Sequence, residues 1–159
     1  MILNQRSLAL RLMDQAGASI EDILRRMRTI REQVEIVLTL NTLDYARMSG
    51  RVKTLQAALA SILNVKPIIR LENGMLSMAD RVRTRARALD HILETVKGKI
   101  GDRLSNVAVV HAEDEATGKE LLERARAMFN CKQLIMTDLS TSVAANLGPG
   151  TVGLVAYPA

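Results

Sequence analysis

The side chains that most often perform catalysis are few in this sequence. It has two histidines, His91 in a segment of helical periodicity and His111 at the end of an apolar run, and one cysteine, Cys131. A lone histidine in either position is typically a hydrogen-bonded structural residue. The chain has no Gly-x-Ser-x-Gly elbow, Walker loop, His-Glu-x-x-His pair or Gly-x-Gly-x-x-Gly fingerprint. The sequence therefore predicts neither a stand-alone enzyme nor a metal site.

Three other segments have residue types that suit ligand contact. Residues 81–87 carry four arginines from a strand into the start of a helix, where backbone N–H groups and guanidinium groups favour carboxylate or phosphate. Residues 48–51 form a small-residue turn that ends in a cation, and residues 146–150 combine an amide with glycines that permit close backbone approach. Each segment also has a purely structural interpretation, as a solvated basic face, a helix C-cap or a turn before a strand.

The composition indicates a folded domain with an aromatic-poor core. Hydrophobic residues make up 48% of the 159 residues and charged residues 25%, which is typical of globular proteins. The chain has one Phe, two Tyr and no Trp, but eight Met. Flexible Met side chains suit an apolar wall around a lipid chain, but gap-filling in a core without aromatic rings is the favoured interpretation.

The net charge of +5 leaves a basic nucleic-acid-binding or regulatory module as an alternative function. Three aromatic residues are few for the stacking platforms of single-strand binders, and no zinc-finger or RNA-recognition motif is present, so nucleic-acid binding is disfavoured. A basic surface facing an acidic partner explains the charge equally well. With a single cysteine, no signal-peptide pattern and no run of about 18–20 apolar residues, we expect a cytoplasmic protein without a membrane span.

Helical periodicity occurs in seven segments. The first predicted helix, 3–15, ends before Gly17, and the second begins at Ser19 with Asp22 in a capping box. The buried stripe of the second helix is expected to be Ile20, Ile23, Leu24, Met27 and Ile30. The remaining predicted helices are a short one from the N-cap Asn41 to Gly50, 52–63, 83–96 ended by Gly98 and Gly101, 114–129 capped by Asp114, and a short one capped by Thr141 or Ser142.

Short β-branched and apolar runs predict the strands between these helices. They lie at 34–40, 67–71, 75–82, 106–111, 133–138 and 152–157, and residues 73–74 form an Asn-Gly hairpin turn. Strands mixed with helices predict a single α/β (mixed α+β) domain with one mixed sheet of about five to six strands covered by helices.

Six short segments occur in a distinctive order along the chain. They are 41–52 (NTLDYARMSGRV), 63–69 (LNVKPII), 71–75 (LENGM), 82–85 (VRTR), 109–112 (VVHA) and 148–150 (GPG). This series resembles the DegV family, whose first two segments are usually written D-T-L-E-Y-L-x-x-G-G-R-I and L-N-I-K-P-I-L. The resemblance extends over about residues 5–157 with little adjustment of spacing.

The resemblance implies a ligand and partners. DegV-family proteins hold one long-chain fatty acid between two α/β domains, with the acyl tail buried and the carboxylate near the cleft. Many present that acid to a fatty acid kinase, and the resemblance implies no cofactor and no catalytic residue. The ligand-binding residues that it implies are Arg51, Arg83, Thr84, Asn146, Gly148 and Gly150.

The chain departs from the family pattern in two respects. The family motif H-T-G-P-G is replaced here by Asn146-Leu-Gly-Pro-Gly150, and an amide cannot carry the charge of a histidine, which affects the expected role toward the kinase. The resemblance implies that residues 1–159 are the carboxy-terminal domain and that they do not include the family's amino-terminal domain. A self-associating domain, in which a second copy covers the face left by the missing domain, is therefore a further alternative.

Overall fold

The computed structural model describes residues 13, 15–49, 65–72 and 75–159. The predicted helix 52–63, most of the predicted helix 3–15, the Asn73-Gly74 turn and the predicted helix end at Gly50 lie outside the described residues.

Six strands form one mixed sheet. Their bounds are Glu35–Thr39 (β1), Lys66–Glu72 (β2), Met75–Val82 (β3), Ser105–Ala112 (β4), Cys131–Asp138 (β5) and Thr151–Pro158 (β6). Their spatial order is β3-β2-β1-β6-β4-β5, and all neighbours are antiparallel except β4 and β5. All six strands expected from the sequence are present, so the prediction of a mixed sheet covered by helices is confirmed.

Five described helices accompany the sheet. Their bounds are Ile20–Gln33 (α1), Asp44–Met48 (α2), Arg85–Ile100 (α3), Glu115–Met128 (α4) and Thr141–Leu147 (α5). The side chains of Ser19, Thr84 and Asp114 cap α1, α3 and α4, because each accepts a hydrogen bond from a backbone N–H of the first turn. None of the described helices combines the length and the apolar character needed to cross a membrane.

The two faces of the sheet carry separate cores. On one face, alternate strand residues such as Val37, Val109 and Leu154 pack against the apolar sides of α3 and α4. On the other face, residues such as Leu38, Ile69 and Val155 form a second cluster that includes side chains from α2 and α5. Both faces of the central strands are therefore buried, which explains their unbroken apolar runs.

One ion pair lies within this apolar framework. Glu35 at the start of β1 accepts two hydrogen bonds from the guanidinium of Arg70 on β2, one of them 2.9 Å long between Nη2 and Oε2. The Glu35 and Arg70 side chains are only 11% and 20% exposed. Because the geometry is bidentate, the buried charge of Glu35 is compensated inside the sheet.

The expected buried stripe of α1 is wrong for most of its length. Ile30 is buried, but Ile20 is 78% exposed and Leu24 is 46% exposed, while Ile23 and Met27 are half-buried. The helix packs against β6, and Arg26 donates to the carbonyl of Pro158 at the end of that strand (3.3 Å). The apolar side chains at the beginning of α1 extend beyond this contact and remain on the surface.

The boundaries of three helices also differ from the sequence prediction. Asn41 is not an N-cap, because α2 begins after Leu43 and the Asn41 side chain accepts a hydrogen bond from Nζ of Lys66 (2.6 Å). The helix predicted from residue 83 begins at Arg85, and it continues through Gly98, since glycine weakens a helix without ending it. Gly101, with φ of 63°, is its C-cap as expected, whereas α5 is preceded by Ser140 rather than capped by Thr141 or Ser142.

Candidate functional site

The topology brings the implied ligand-facing segments to one end of the sheet. The register pairs Thr39 with Val152 and His111 with Val152, so β1 and β4 end where β6 begins. We call this end the upper edge; the strand residues that define it are Thr39, Lys66, Val82, Ala112, Asp138 and Thr151. The N-termini of α3, α4 and α5 directly follow strands that end there.

The loop of Gly148, Pro149 and Gly150 crosses the upper edge between α5 and β6. Gly148 has φ of 85° and ψ of 165°, and a Cβ atom there would lie 2.4 Å from Cδ2 of Tyr45. The carbonyl of Gly148 accepts a hydrogen bond from the buried hydroxyl of Thr151 (2.8 Å). The sequence predicted that another group would approach the backbone closely at this glycine. In the structure that group is the Tyr45 ring, and its contact with Gly148 joins α2 to the loop.

Gly150 is held from two sides. Its N–H donates to the carbonyl of Ala112 at the end of β4 (2.7 Å), and its carbonyl accepts from Nη2 of Arg85 (2.7 Å). Two features favour glycine at this position. Its φ is 78°, and a Cβ atom on residue 150 would lie only 2.8 Å from the Asn41 side chain. The loop is therefore anchored to β4 and to the first residue of α3.

Arg85 connects three elements at the upper edge. Besides Gly150, its Nη2 donates to Oδ2 of Asp114, the N-cap of α4 (2.7 Å). Partial burial opposes ionisation of Asp114, but the hydrogen bonds from Thr117 and the charge of Arg85 outweigh it, so the pKa of Asp114 is lowered. Sequence reasoning placed Arg85 in the arginine-rich segment but not among the ligand-binding residues, because its partners are 29 and 65 residues away.

The other implied residues occupy different environments at this edge. Arg83 is exposed, as are its neighbours Arg81 and Arg87. Thr84 uses its hydroxyl oxygen to accept from the N–H of Arg87 (3.2 Å), which caps α3. Arg51 lies outside the described residues.

Asn146 lies on the last turn of α5 and is half-buried. Its Nδ2 donates to the carbonyl of Ser142, one turn earlier in the same helix (2.5 Å). One amide N–H is therefore used within α5, and the residue lies two positions before Gly148 of the loop.

An apolar surface patch borders the loop. It consists of Tyr45 and Met48 on α2 and Val143 on α5, two helices that pack together. Met48 is 78% exposed, while Tyr45 and Val143 are each 36% exposed. The sequence analysis did not predict this patch. Tyr45 and Met48, both in the segment 41–52, were the residues that could have indicated it. The patch belongs to the two helices on one face of the sheet, whereas α3 packs on the opposite face.

The histidines have structural surroundings. His91 lies 2.9 Å from Oδ2 of Asp80 through Nε2 and contacts the hydroxyl of Thr95 through Nδ1, as expected of a structural histidine. His111 is buried beside Gly118, but its Nδ1, 3.4 Å from Oδ1 of Asp138, has no hydrogen-bond partner. Among the described residues, no group of three or more His, Cys, Asp and Glu side chains is placed to hold a metal ion.

The chain is similar to known proteins in both sequence and fold. Residues 7–159 match a family model described as "Uncharacterised protein, DegV family". A DegV domain-containing protein of Clostridium acetobutylicum is 27% identical over 139 residues, which is 86% of this chain and 50% of the relative. A protein of Thermotoga maritima named "Fatty acid-binding protein" is 29% identical over 141 residues, covering 86% of this chain and 49% of the relative.

A solved structure of a DegV family protein from Thermus thermophilus has the same fold, and its description states fatty acid binding. It superposes with a TM-score of 0.90 over 98% of this chain and 56% of that chain, at 24% identity. This chain therefore spans about half the length of the relatives that it matches.

Proposed function

This chain belongs to the DegV family, and from that premise we propose that it is a lipid-binding domain that contacts a long-chain fatty acid at the upper edge. The observation that carries the proposal is the match, over most of this chain, to relatives whose names and descriptions state fatty acid binding. The role proposed is binding, with no chemistry performed by the chain itself and no cofactor, in the cytoplasm.

The chemistry of the upper edge suits an amphiphile with an anionic head. The patch of Tyr45, Met48 and Val143 offers apolar area for methylene groups, each of which contributes about 0.8 kcal/mol when it leaves water. Exposed Arg81 and Arg83 lie at the same end of the sheet, where they favour a carboxylate. The proposed ligand-binding residues also include Arg51, Thr84, Asn146, Gly148 and Gly150.

We further propose that the bound acid is presented from this edge to a fatty acid kinase. Exposed guanidinium groups at the start of α3 would attract an acidic protein surface and offset the charge of an acyl phosphate. Asn146 stands where the family pattern has a histidine, and it cannot contribute a titrating charge there. An amino-terminal DegV domain is the second proposed partner, and together the two domains would enclose the acid.

Lipid analysis of this chain joined to an amino-terminal DegV domain tests the binding proposal, because the two domains are proposed to enclose the acid together. We expect native mass spectrometry to show a co-purifying long-chain acid, and titration with a fluorescent fatty acid to give saturable binding. Met48→Glu should weaken that binding at least tenfold, because it places a charge in the apolar patch. The matched control is Met75→Glu, an exposed methionine (65%) at the start of β3, away from the upper edge. Absence of both a co-purifying acid and saturable binding would overturn the proposal.

Self-association is a second candidate, favoured by the exposed Ile20 and Leu24 of α1. A second copy that covers this face would give a dimer in sedimentation experiments, and Ile20→Glu should dissociate it. A monomer at high concentration would eliminate this candidate. The aromatic residues give the nucleic-acid alternative no support, because Phe129 and Tyr157 are buried and Tyr45 packs on Gly148.

A further inference from the structure

The sheet has two edge strands, β3 and β5, each of which pairs with only one other strand among the described residues. An edge strand pairs readily with another chain unless a bulge, a charge or a proline interrupts it. In β3 the register shifts between the positions opposite Ile68 and Ile69, which leaves Ala79 as a bulge in the middle of the strand. In β5 the shift occurs at Lys132 near the start, so residues 133–138 form a regular edge.

The backbone of β5 directs hydrogen-bonding groups to its outer side. Leu139, which directly follows β5, donates its N–H to the carbonyl of His111 on β4 (2.7 Å). Because successive residues of a strand direct these groups to opposite sides, the odd-numbered residues in this part of β5 bond to β4. The N–H and C=O groups of Leu134 and Met136 are therefore directed outward. The side chains of both residues, and of Ile135 between them, are only half-buried, so apolar area is present at the same edge.

The sequence of β5 is complementary to itself when two copies run antiparallel. With Ile135 opposite Ile135 of a second copy, Leu134 lies opposite Met136, and the outward backbone groups of both residues suit a hydrogen-bonded pair. In the same register Lys132 lies opposite Asp138 at both ends of the pairing. Both of these side chains are exposed, and opposite charges that face each other across two strands stabilise the pairing. Shifting one copy by two residues would lose both charge pairs.

Helix α4 adds complementary charges over the same edge. It packs on both β4 and β5, so two copies of α4 would lie about 10 Å apart, which is a helix packing distance. Burial raises the pKa of the Cys131 thiol and the charge of Arg126 opposes that rise, which indicates that Arg126 lies near the start of β5. Glu115 lies about three turns earlier on the same side of α4, and both residues are exposed. In the antiparallel arrangement, Arg126 of one copy would approach Glu115 of the other, in addition to their partners within α4.

We propose that β5 is an interaction surface for a second copy of this chain, and that the resulting dimer has one continuous sheet. Its twofold axis is perpendicular to the sheet at Ile135, so the two copies of α4 lie on the same face. This surface differs from the exposed face of α1, a helix that packs against β6. The dimer does not depend on the proposed function, because strand pairing requires no fatty acid.

Charge reversal at the two ends of β5 tests the register. Lys132→Asp places two aspartates opposite each other at both ends of the pairing, and Asp138→Lys places two lysines there. Both positions are exposed, so neither change disturbs the core. We expect sedimentation of the 159-residue chain to show a dimer, whose dissociation constant each variant raises about fivefold or more at low ionic strength. An equimolar mixture of the two variants should form a heterodimer about as tightly as wild type, because each aspartate then faces a lysine.

Two control variants locate the interface. Lys99→Asp makes the same charge change at an exposed position of α3, and Ile20→Glu alters the exposed face of α1; both should leave the dimer unchanged. The amides of Leu134 and Met136 should also exchange hydrogen more slowly as protein concentration rises. A wild-type monomer at high concentration, a dimer that Ile20→Glu dissociates, or a mixture of the charge variants that stays monomeric would each overturn the proposal.

Discussion

Replacing Gly148 by Ala tests the geometry of the loop most directly. The backbone at Gly148, with φ of 85° and ψ of 165°, lies in a region that is essentially restricted to glycine, and an alanine held there costs about 1–3 kcal/mol. Its Cβ would also lie 2.4, 2.8 and 3.0 Å from three atoms of the Tyr45 ring. Displacing a packed ring costs about another 1–3 kcal/mol. We therefore expect a total loss of about 2–6 kcal/mol of unfolding free energy.

Chemical denaturation of four proteins separates the two contributions. Gly148→Ala should cost the full amount in the wild-type background, but only the backbone contribution in a Tyr45→Ala background, where the ring is gone. The coupling free energy between the two positions should be about 1–3 kcal/mol. Gly98→Ala is the matched control, because Gly98 lies inside α3 and a Cβ atom there would meet nothing within 4 Å, so this change should stabilise the chain by about 0.5–1 kcal/mol.

Two results would refute this reasoning. An equal cost of Gly148→Ala in both backgrounds would mean that the ring does not rest on the loop. A cost below that of an ordinary surface substitution, about 0.5 kcal/mol, would mean that the backbone does not adopt the glycine-specific conformation.

The Asp114 carboxylate, the Glu35–Arg70 ion pair and the Cys131 thiol each give a further expectation. Because the pKa of Asp114 is lowered from its ordinary 3.8, the ionised carboxylate stabilises the folded chain. This stabilisation is fully present above pH 3.8 and is lost as the pH falls through the lowered pKa. The difference in stability between wild type and Asp114→Asn should therefore shrink when thermal unfolding is measured at progressively more acidic pH. Glu35→Gln should cost about 3–5 kcal/mol in urea titrations, whereas replacing both Glu35 and Arg70 by leucine should cost less, and a reversed order would contradict the buried pair. Burial raises the pKa of Cys131, so its thiol should react with a disulfide reagent more slowly than free cysteine below pH 9.0, and unfolding should abolish the difference.

Local patterns in the sequence were sufficient for the strands and for some of the helix caps. β-branched runs predicted all six strands, and Ser19 and Asp114 were recognised as caps because capping depends on neighbours within one turn. The stripe of α1 failed because helical periodicity reports which residues are apolar, not how far the neighbouring sheet extends beneath them. Ile20 and Leu24 have the right spacing for burial but extend beyond the contact with β6.

The connections at the upper edge depend on tertiary structure. Arg85 was visible as one of four arginines, but only the fold distinguishes it from the exposed Arg83 by placing Asp114 and Gly150 within its reach. Likewise, Gly148 was recognised as a flexible position, while its contact with Tyr45, about a hundred residues earlier, could not be inferred from local spacing.

The position of β6 has a consequence for synthesis. β6 is the last of the six strands in chain order, yet it lies between β1 and β4. Thr39 on β1 can therefore pair with Val152 on β6 only after the other five strands have been synthesised. Until β6 leaves the ribosome, β3-β2-β1 and β4-β5 are separate half-sheets, each with an unpaired apolar edge. Pairings of such long sequence separation form slowly. The nascent chain therefore passes through a stage in which aggregation and chaperone binding compete with the arrival of its final strand.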